Sequence, residues 1–374
     1  MLPPLSRADT SLLGRWWWTV DRWTLLAIAT LIGLGYVMML AASPAVAERI
    51  RQSRDIFILK QVFFLALAGA VVVVVSLLSP RGVRRVALAG CLVALALTAL
   101  TLVMGVEIKG ARRWIALPGL SLQPSEFLKP CFAVVAAWLL AEGRQLPRFP
   151  GMAAAFGVFA VIVLLLKSQP DVGMLAVISG VFFIQLFVGG LKMVFVGVAL
   201  AGMGGAAVAA YTFFPHVQSR VLRFLNPAEG DNYQVQRALE AFGNGGLLGR
   251  GPGEGRVKDV LPDAHADTVF AVVGEEFGMI LCMIIVGLFT FIVLRGLLRL
   301  LAEVDPFVIL AATGLVASFG LQAFVNMAST LHLIPTKGMT LPFISYGGSS
   351  VLAVALGIGM LLALTRKRHN GELL

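Results

Sequence analysis

Residues 58–78 read ILKQVFFLALAGAVVVVVSLL, with a single charged residue, Lys60, in 21 positions. About 20 apolar residues in a helix span the roughly 30 Å hydrocarbon core of a bilayer, so this run predicts a transmembrane helix. The whole chain has the same character, being 58% hydrophobic and 13% charged with a mean hydropathy of +0.89. A soluble domain of this composition would expose large apolar patches, so that class is excluded.

Nine further apolar runs are long enough, or nearly so, to cross a bilayer. They are residues 23–40, 86–103, 127–140, 152–166, 172–188, 193–213, 268–294, 307–328 and 349–364. The sequence therefore predicts an all-α polytopic membrane protein of about ten transmembrane helices in a single domain, 1–374. Outside the spans we expect a tail at 1–21, one large loop at 214–266 and a second tail at 365–374.

Basic residues predict the orientation. They are more numerous in loops on the side of the N-terminus, such as the one holding Arg81, Arg84 and Arg85, than in the short loops of the other side. By the positive-inside rule both tails are cytoplasmic and the 214–266 loop is extracytoplasmic. The net charge of +10 is scattered and forms no continuous stripe, which argues against a nucleic-acid partner. Cations on the outer side instead suggest an anionic ligand there.

Two short motifs place carboxylates at span ends. In QPSEFLK, residues 123–129, Glu126 and Lys129 lie three apart and share a helical face. They can form a structural ion pair, the charged wall of a water-filled cavity, or both. In QPDVG, residues 169–173, Asp171 sits at a helix start, where a carboxylate can cap the helix as well as act functionally.

Cations that could meet an anionic ligand are spread over three outer segments. KGARRW, residues 109–114, supplies Arg112 and Arg113, whose forked guanidinium groups suit phosphate oxygens as well as lipid headgroups. The large loop adds Arg220 and Arg223, and residues 335–350 add Lys337 with the hydroxyls of Ser345 and Ser349.

The segment LPDAHADTVF, residues 261–270, places Asp267 at the membrane surface next to His265. A carboxylate at this helix start could be an N-cap or a general base that takes a proton from a hydroxyl. Two turns further along, the adjacent Glu275 and Glu276 cannot face the same way, so at least one should point into the bundle and find a partner. No metal site is predicted, because the three cysteines lie apart in apolar runs without CxxC or histidine spacing.

These motifs together resemble the SEDS family of polytopic proteins, which comprises RodA, FtsW and a sporulation homologue. The matching motifs are GARRW (110–114), QPSEFLK (123–129), QPDVG (169–173), NP (226–227), YQ (233–234), LPDAHAD (261–267), GEEFG (274–278) and LPFISYGGSS (341–350). They occur in order over nearly the whole chain. The segments WWWTVDRW (16–23) and GPGEG (251–255) are more similar to the division branch, FtsW of alphaproteobacteria, than to the elongation branch.

The resemblance implies a peptidoglycan glycosyltransferase that polymerises lipid II outside the bacterial inner membrane during septal wall synthesis. It implies that Asp267 matches the family's essential loop carboxylate and would deprotonate the acceptor sugar hydroxyl in an inverting reaction. Arg112, Arg113, Arg220, Arg223 and Lys337 would hold the undecaprenyl-pyrophosphate leaving group. A divalent cation, Mg²⁺ or Mn²⁺, could assist, although the sequence has no dedicated ligand cluster.

By the same resemblance the partners are a class B penicillin-binding protein, an FtsI-like transpeptidase, and the regulators of division. The chain departs from the family at Ala266 and Thr268, which flank the key carboxylate, and at Met174 and Asp263. None of these changes removes a charge. The alternatives are a lipid II flippase that uses the intramembrane charges, an elongation-type polymerase, and a non-catalytic scaffold.

Overall fold

The computed structural model describes residues 11–49, 55–108, 111–117, 120–146, 148–225, 233–261, 264–335 and 338–367. The helices are α1 (Leu12–Thr19), α2 (Arg22–Arg49), α3 (Asp55–Ser76), α4 (Pro80–Met104), α5 (Ser125–Gln145), α6 (Gly151–Ser168), α7 (Val172–Val188), α8 (Met193–Phe213), α9 (Pro215–Leu225), α10 (Tyr233–Gly245), α11 (Val269–Leu300), α12 (Pro306–Thr330) and α13 (Gly348–Leu364). The strands are β1 (Val106–Ile108), β2 (Ala111–Leu117) and β3 (Leu120–Leu122), and Val257–Asp259 forms one 3-10 turn.

All ten predicted apolar runs are helical. Six helices, α2, α3, α4, α6, α11 and α12, are long and apolar enough to cross a membrane. Helices α7 and α13 are shorter apolar helices, and the two remaining runs fall within α5 and α8. The predicted all-α polytopic fold is therefore confirmed.

Short connections between successive helices give the bundle two ends. We call the end that carries β1 to β3, α9, α10 and residues 338–347 the loop face. The other end, which carries α1 and residues 365–367, is the terminal face. Helix α5 lies at the centre, because it packs against α4, α6, α7, α12 and α13 and nearly all of its apolar side chains are buried.

A three-stranded antiparallel sheet covers part of the loop face, and the sequence analysis did not predict it. Strand β2 pairs with both neighbours, Glu107 lying opposite Arg112 and Ala116 opposite Ser121. The Ser349 hydroxyl at the start of α13 donates to the Ser121 carbonyl over 3.2 Å and accepts from the Gln123 amide over 3.0 Å. The strands are too short for periodicity to reveal them, since each has only 3 to 7 residues.

Helix α11 is interrupted at Gly278, whose φ of 77° and ψ of −179° are not helical. Directly after the break, the Met279 amide donates to the Gly246 carbonyl over 2.9 Å, and the Ile280 amide donates to the Leu247 carbonyl over 3.3 Å. Backbone groups freed by a break in an apolar bundle are costly unless they are paired. The turn at residues 246–251 therefore completes the hydrogen bonds of the second half of α11.

The same turn also serves the first half of α11. The amides of Arg250 and Gly251 donate to the carbonyls of Glu275 and Glu276, each over 2.9 Å. Position 249 requires glycine for two reasons. Its φ of 81° lies in the left-handed region, and a methyl group there would lie 2.3 Å from the Glu276 carbonyl oxygen. The glycine-rich turn at residues 246–251 is therefore a packed insertion in the α11 break.

The segment predicted as an N-terminal tail, 1–21, contains α1, which packs on the bundle. The Trp16 indole is buried and donates to the Ser76 hydroxyl at the end of α3 over 2.8 Å. Arg22 lies over the rings of Trp17 and Trp18, with centroid distances of 5.6 and 4.5 Å. The tryptophan cluster therefore joins α1 to the terminal face.

Asp21 is the main polar contact of the terminal face. It accepts from Arg295 Nε over 2.6 Å and from Thr24 Oγ1 over 2.8 Å, and Arg299 Nε lies 3.0 Å away. Arg299 also donates to the Thr365 carbonyl, so the start of α2, the end of α11 and the end of α13 meet here. Burial alone would raise the pKa of Asp21, but the hydrogen bonds from Arg295 and Thr24 and the nearby arginine charges hold it below its ordinary value of 3.8.

We predict that Asp21→Asn lowers the free energy of unfolding by about 2 kcal/mol, because it leaves two arginines without their shared carboxylate. A carboxyl with a lowered folded pKa stabilises above its unfolded pKa, and this contribution is lost as the pH falls through the folded value. Thermal unfolding in detergent should show a Tm difference that is constant from pH 7 to about 5 and shrinks in more acidic buffer. The exposed Glu254→Gln is the control, and equal Tm values for Asp21→Asn and this control at pH 7 would refute the prediction.

Candidate functional site

Asp267 lies in the turn that leads into α11 on the loop face, and it is partly exposed. The Asn326 side-chain amide, near the end of α12, donates to the Asp267 carbonyl over 2.9 Å and to the Met339 carbonyl over 2.5 Å. One buried side chain thus fixes the backbone of Asp267 relative to the segment before α13.

Gly338 packs directly against the Asp267 carboxylate. A methyl group built at Gly338 would lie 2.8 Å from Oδ2 and 3.5 Å from Cγ of Asp267. Only glycine at position 338 leaves room for the carboxylate in its present position.

His265, two residues before Asp267, joins an aromatic cluster. The rings of Phe57, His265 and Tyr346 lie 5.2 to 5.4 Å apart by centroid, and the Tyr346 amide donates to the His265 carbonyl over 2.8 Å. Burial raises the pKa of the Tyr346 hydroxyl, which therefore stays protonated at neutral pH. The cluster ties the start of α3 and residue 346 to the turn that holds Asp267.

Ser345 and Ser349 organise the segment between α12 and α13. Ser345 Oγ accepts from the Leu341 amide over 2.8 Å, and the Ser345 carbonyl accepts from Gln61 of α3 over 3.2 Å. Ser349 makes the contacts with Ser121 and Gln123 described above. Through Ser349 the segment connects Asp267 to the sheet.

Glu126 and Lys129 form a buried ion pair of 2.7 Å within α5. Lys129 Nζ also donates to Gln322 Oε1 of α12 over 2.5 Å. Lys129 and Gln322 line a cavity between α5, α12 and α13 together with apolar side chains such as Leu315 and Val354. The ion pair expected from the sequence is thus present. Lys129, but not Glu126, also lines this mostly apolar cavity.

Arg113 is held by the turn between α6 and α7. Its guanidinium donates to the carbonyls of Gln169 over 3.1 Å and Pro170 over 2.6 Å, and it lies 3.3 Å from the Asp171 carboxylate. Asp171 accepts from the Met174 amide, so it caps α7. Arg113 and Asp171 together fix β2 against α7.

Among the other candidate cations, the structure describes the side chain of Arg112 only. The Arg112 side chain is 52% exposed and lies 3.4 Å from Glu107, which is itself exposed. Arg220 and Arg223 belong to α9, but their side chains lie outside what the structure describes, as does Lys337. The structure describes the side chains of two of the five predicted cations, and that of Arg112 is more exposed than that of Arg113.

Glu275 and Glu276 are both buried and both have partners, as expected for at least one of them. They bind one and the same segment, in contrast to the expectation that they face different ways. Glu275 accepts from the amides of Arg256 and Val257 over 3.0 to 3.2 Å. Glu276 accepts from the Gly253 amide over 2.8 Å and forms a 2.5 Å ion pair with Lys258. The two carboxylates converge because residues 253–258 pack against the part of α11 that precedes its break at Gly278.

The arrangement places one partly exposed carboxylate in a rigid backbone frame on the loop face. Among the described residues there is no group of three or more metal-ligating side chains. Such a carboxylate can accept a proton from a hydroxyl group that reaches it.

The sequence profile of the cell cycle proteins FtsW, RodA and SpoVE matches residues 22–370. The chain belongs to this family. A relative from Caulobacter vibrioides, named as a probable peptidoglycan glycosyltransferase FtsW, is 45% identical over 97% of this chain and 93% of its own length. A relative of the same name from Geobacter metallireducens is 34% identical over 93% of this chain and 96% of its own length.

Solved structures of family members have the same fold. A chain from a peptidoglycan synthase complex, studied for the coordination of polymerization and crosslinking, has a TM-score of 0.76 at 28% identity and covers 92% of this chain and 97% of its own. The rod shape determining protein RodA of Thermus thermophilus has a TM-score of 0.70 at 28% identity, over 93% of this chain and 97% of its own. The family predicted from the motifs is confirmed.

The sequence analysis missed three residues that shape this site. Lys258 neutralises Glu276, Gln322 binds Lys129, and Gln61 binds the Ser345 carbonyl. Gln61 and Gln322 are polar residues within apolar runs, which is a usable signal because such residues need partners. Lys258 carried no signal, since it is one of many charged residues in a polar segment.

We predict that Lys258→Met destabilises the protein by about 3 kcal/mol, because Glu276 is fully buried and would lose its counter-ion. Thermal unfolding in detergent should show a lower Tm, and limited proteolysis should show faster cleavage within residues 246–260. The double variant Lys258→Met with Glu276→Gln should recover part of the loss. A single variant as stable as the wild type would show that the ion pair does not hold this segment.

Proposed function

We propose that the chain is a peptidoglycan glycosyltransferase that polymerises lipid II into glycan strands for the division septum. The family membership and the names of its relatives support the reaction class. The observation that carries the residue assignment is the position of Asp267, whose backbone is bound by Asn326 and whose carboxylate packs on Gly338. The loop face is extracytoplasmic and both termini are cytoplasmic, in keeping with the basic residues of the loops.

In this proposal Asp267 is the general base. Its carboxylate takes the proton from the 4-hydroxyl of the acceptor GlcNAc, and that oxygen attacks the anomeric carbon of the MurNAc at the end of the growing chain. The bond from this carbon to undecaprenyl pyrophosphate breaks, so an α-linked donor gives a β-linked product without a covalent enzyme intermediate. A base held by its backbone costs little reorganisation in the transition state.

The leaving pyrophosphate requires cations, which we assign to Arg112, Arg113, Arg220, Arg223 and Lys337. Arg112 has the more exposed guanidinium of the two that are described, so it is our first choice for direct contact. Arg113 already has three partners at the turn before α7, so it would act on the pyrophosphate through its charge, from a fixed position, while it also holds the sheet in place. A divalent cation remains an additional candidate for the pyrophosphate.

A class B penicillin-binding protein would supply the transpeptidase, and division regulators would control the pair. Similarity to a chain from a peptidoglycan synthase complex supports this assignment. The chain contributes polymerisation in such a pair, and the partner contributes crosslinking.

We predict that Asp267→Asn lowers the rate of lipid II polymerisation by about 10²- to 10⁴-fold, the range that a general base supplies. Purified complex with the cognate transpeptidase would be assayed for glycan ladders on a gel. Asp259→Asn, an exposed carboxylate of the same polar segment, is the matched control and should retain wild-type ladders.

Equal ladders from wild type and Asp267→Asn would assign the base elsewhere. A wild-type complex that makes no glycan but moves labelled lipid II across vesicles would favour the flippase. A complex inactive in both assays, with Asp267 dispensable in cells, would favour a scaffold.

We predict that Gly338→Ala lowers kcat by about 10²-fold, because the new methyl group must displace the Asp267 carboxylate. Gly243→Ala in α10 is the control, since a methyl group there meets nothing within 4 Å. The KM and Tm of Gly338→Ala should stay close to the wild type. An unchanged kcat would mean that the position of the carboxylate on Gly338 is unimportant for the reaction.

A further inference from the structure

Two amide side chains project from one face of α12 at successive turns. Gln322 and Asn326 are four residues apart and are both buried, at 2% and 0% exposure. An amide inside an apolar bundle is costly unless its hydrogen bonds are satisfied, so both side chains need specific partners.

Their donors bind neighbouring residues of a single segment. The Asn326 amide donates to the Met339 carbonyl, and the Gln322 amide donates to the Thr340 carbonyl over 3.0 Å. Gln322 Nε2 also donates to Ser350 Oγ over 3.1 Å, and Ser350 Oγ lies 2.6 Å from Thr340 Oγ1. The segment at residues 338–341 is therefore anchored to α12 twice and to α13 once, directly beside the Asp267 carboxylate.

Lys129 fixes which way the Gln322 amide points. An ammonium group has three donors and no acceptor, so Gln322 must turn Oε1 toward Lys129 Nζ, which lies 2.5 Å away. The NH₂ group is then directed at Thr340 and Ser350. Without the ammonium, the amide could rotate and lose its donor to the Thr340 carbonyl.

We propose that Gln322 is a positioning residue for the Asp267 carboxylate, which it orients by coupling the buried Glu126–Lys129 ion pair to residues 338–341. The coupling runs from Glu126 through Lys129 and Gln322 to Thr340, and from there along the backbone to Gly338. This inference rests on the proposed function, because it concerns the base of that reaction. Gln322 acts through the segment, and direct contact with substrate is not required.

A different role for the same residues makes a distinguishable prediction. If Lys129 acted on substrate within its cavity and Gln322 served only as its partner, Gln322→Glu would keep that partner and keep activity. Under our proposal Gln322→Glu is defective, because a carboxylate still binds Lys129 but has no N–H for Thr340 and Ser350.

The experiment measures lipid II polymerisation by the purified complex with its transpeptidase for Gln322→Glu, Gln322→Met and Gln185→Met. Gln185 is the matched control, because its fully buried amide also donates to two backbone carbonyls, those of Ala133 and Leu310, away from Asp267. We expect both Gln322 variants to lower kcat by about 10- to 100-fold with KM within about twofold. Gln185→Met should lower Tm and leave the kcat of the folded protein unchanged.

Amide hydrogen exchange of residues 338–345 provides a second readout that needs no activity. We expect faster exchange there in both Gln322 variants and wild-type exchange in Gln185→Met. Wild-type kcat in Gln322→Glu, or an equal loss of kcat in Gln185→Met, would overturn the proposal.

A wild-type complex that polymerises nothing would refute the proposed function instead. In that case unchanged exchange in the Gln322 variants would refute the coupling as well, while faster exchange would retain the coupling as a property of the segment.

Discussion

The break in α11 at Gly278 is the constraint on which the loop face depends. A helix that stops within an apolar bundle leaves amide and carbonyl groups that water cannot reach, and other parts of the chain must pair them. Residues 246–251 do so on both sides of the break, and glycines permit the close approach. After this turn, residues 253–258 lie against α11, and their backbone amides donate to the carboxylates of Glu275 and Glu276. The polar loop is thereby attached to the helix that begins just after Asp267.

Hydrogen bonds from α12 also hold Asp267 in place. Asn326 donates to the carbonyls of Asp267 and Met339, and Gln322, one turn away, donates to the carbonyl of Thr340. The carboxylate thus lies between the start of one helix and a segment held by another. A side chain held by rigid elements keeps its position without an ordering cost at each turnover, which would suit the general base proposed for Asp267. The same tethers connect the site to Lys129 inside the bundle.

Several charged residues that suggest ligand binding have partners within the chain. Arg113 binds Asp171 and two carbonyls, and Glu276 binds Lys258. Asp21 joins three helix ends at the opposite face through two arginines. Charges in an apolar bundle are expensive when unpaired, so each one selects a single arrangement of the elements that carry its partners. Much of the polar content of this chain therefore specifies the packing on which the site is built.

The sequence alone located the ten apolar runs that form helices, because hydrocarbon thickness fixes the length of a run regardless of its neighbours. It also determined the family and singled out Asp267, since these depend on residue types in a local order. The tertiary structure decided that Gly338 meets Asp267, that Glu275 and Glu276 share one segment, and that β1 to β3 form a sheet. The first two join residues 18 or more positions apart, and the sheet joins strands too short to have a recognisable period. Local patterns carry no information about such contacts, because these depend on which distant segments the packing of the helices brings together.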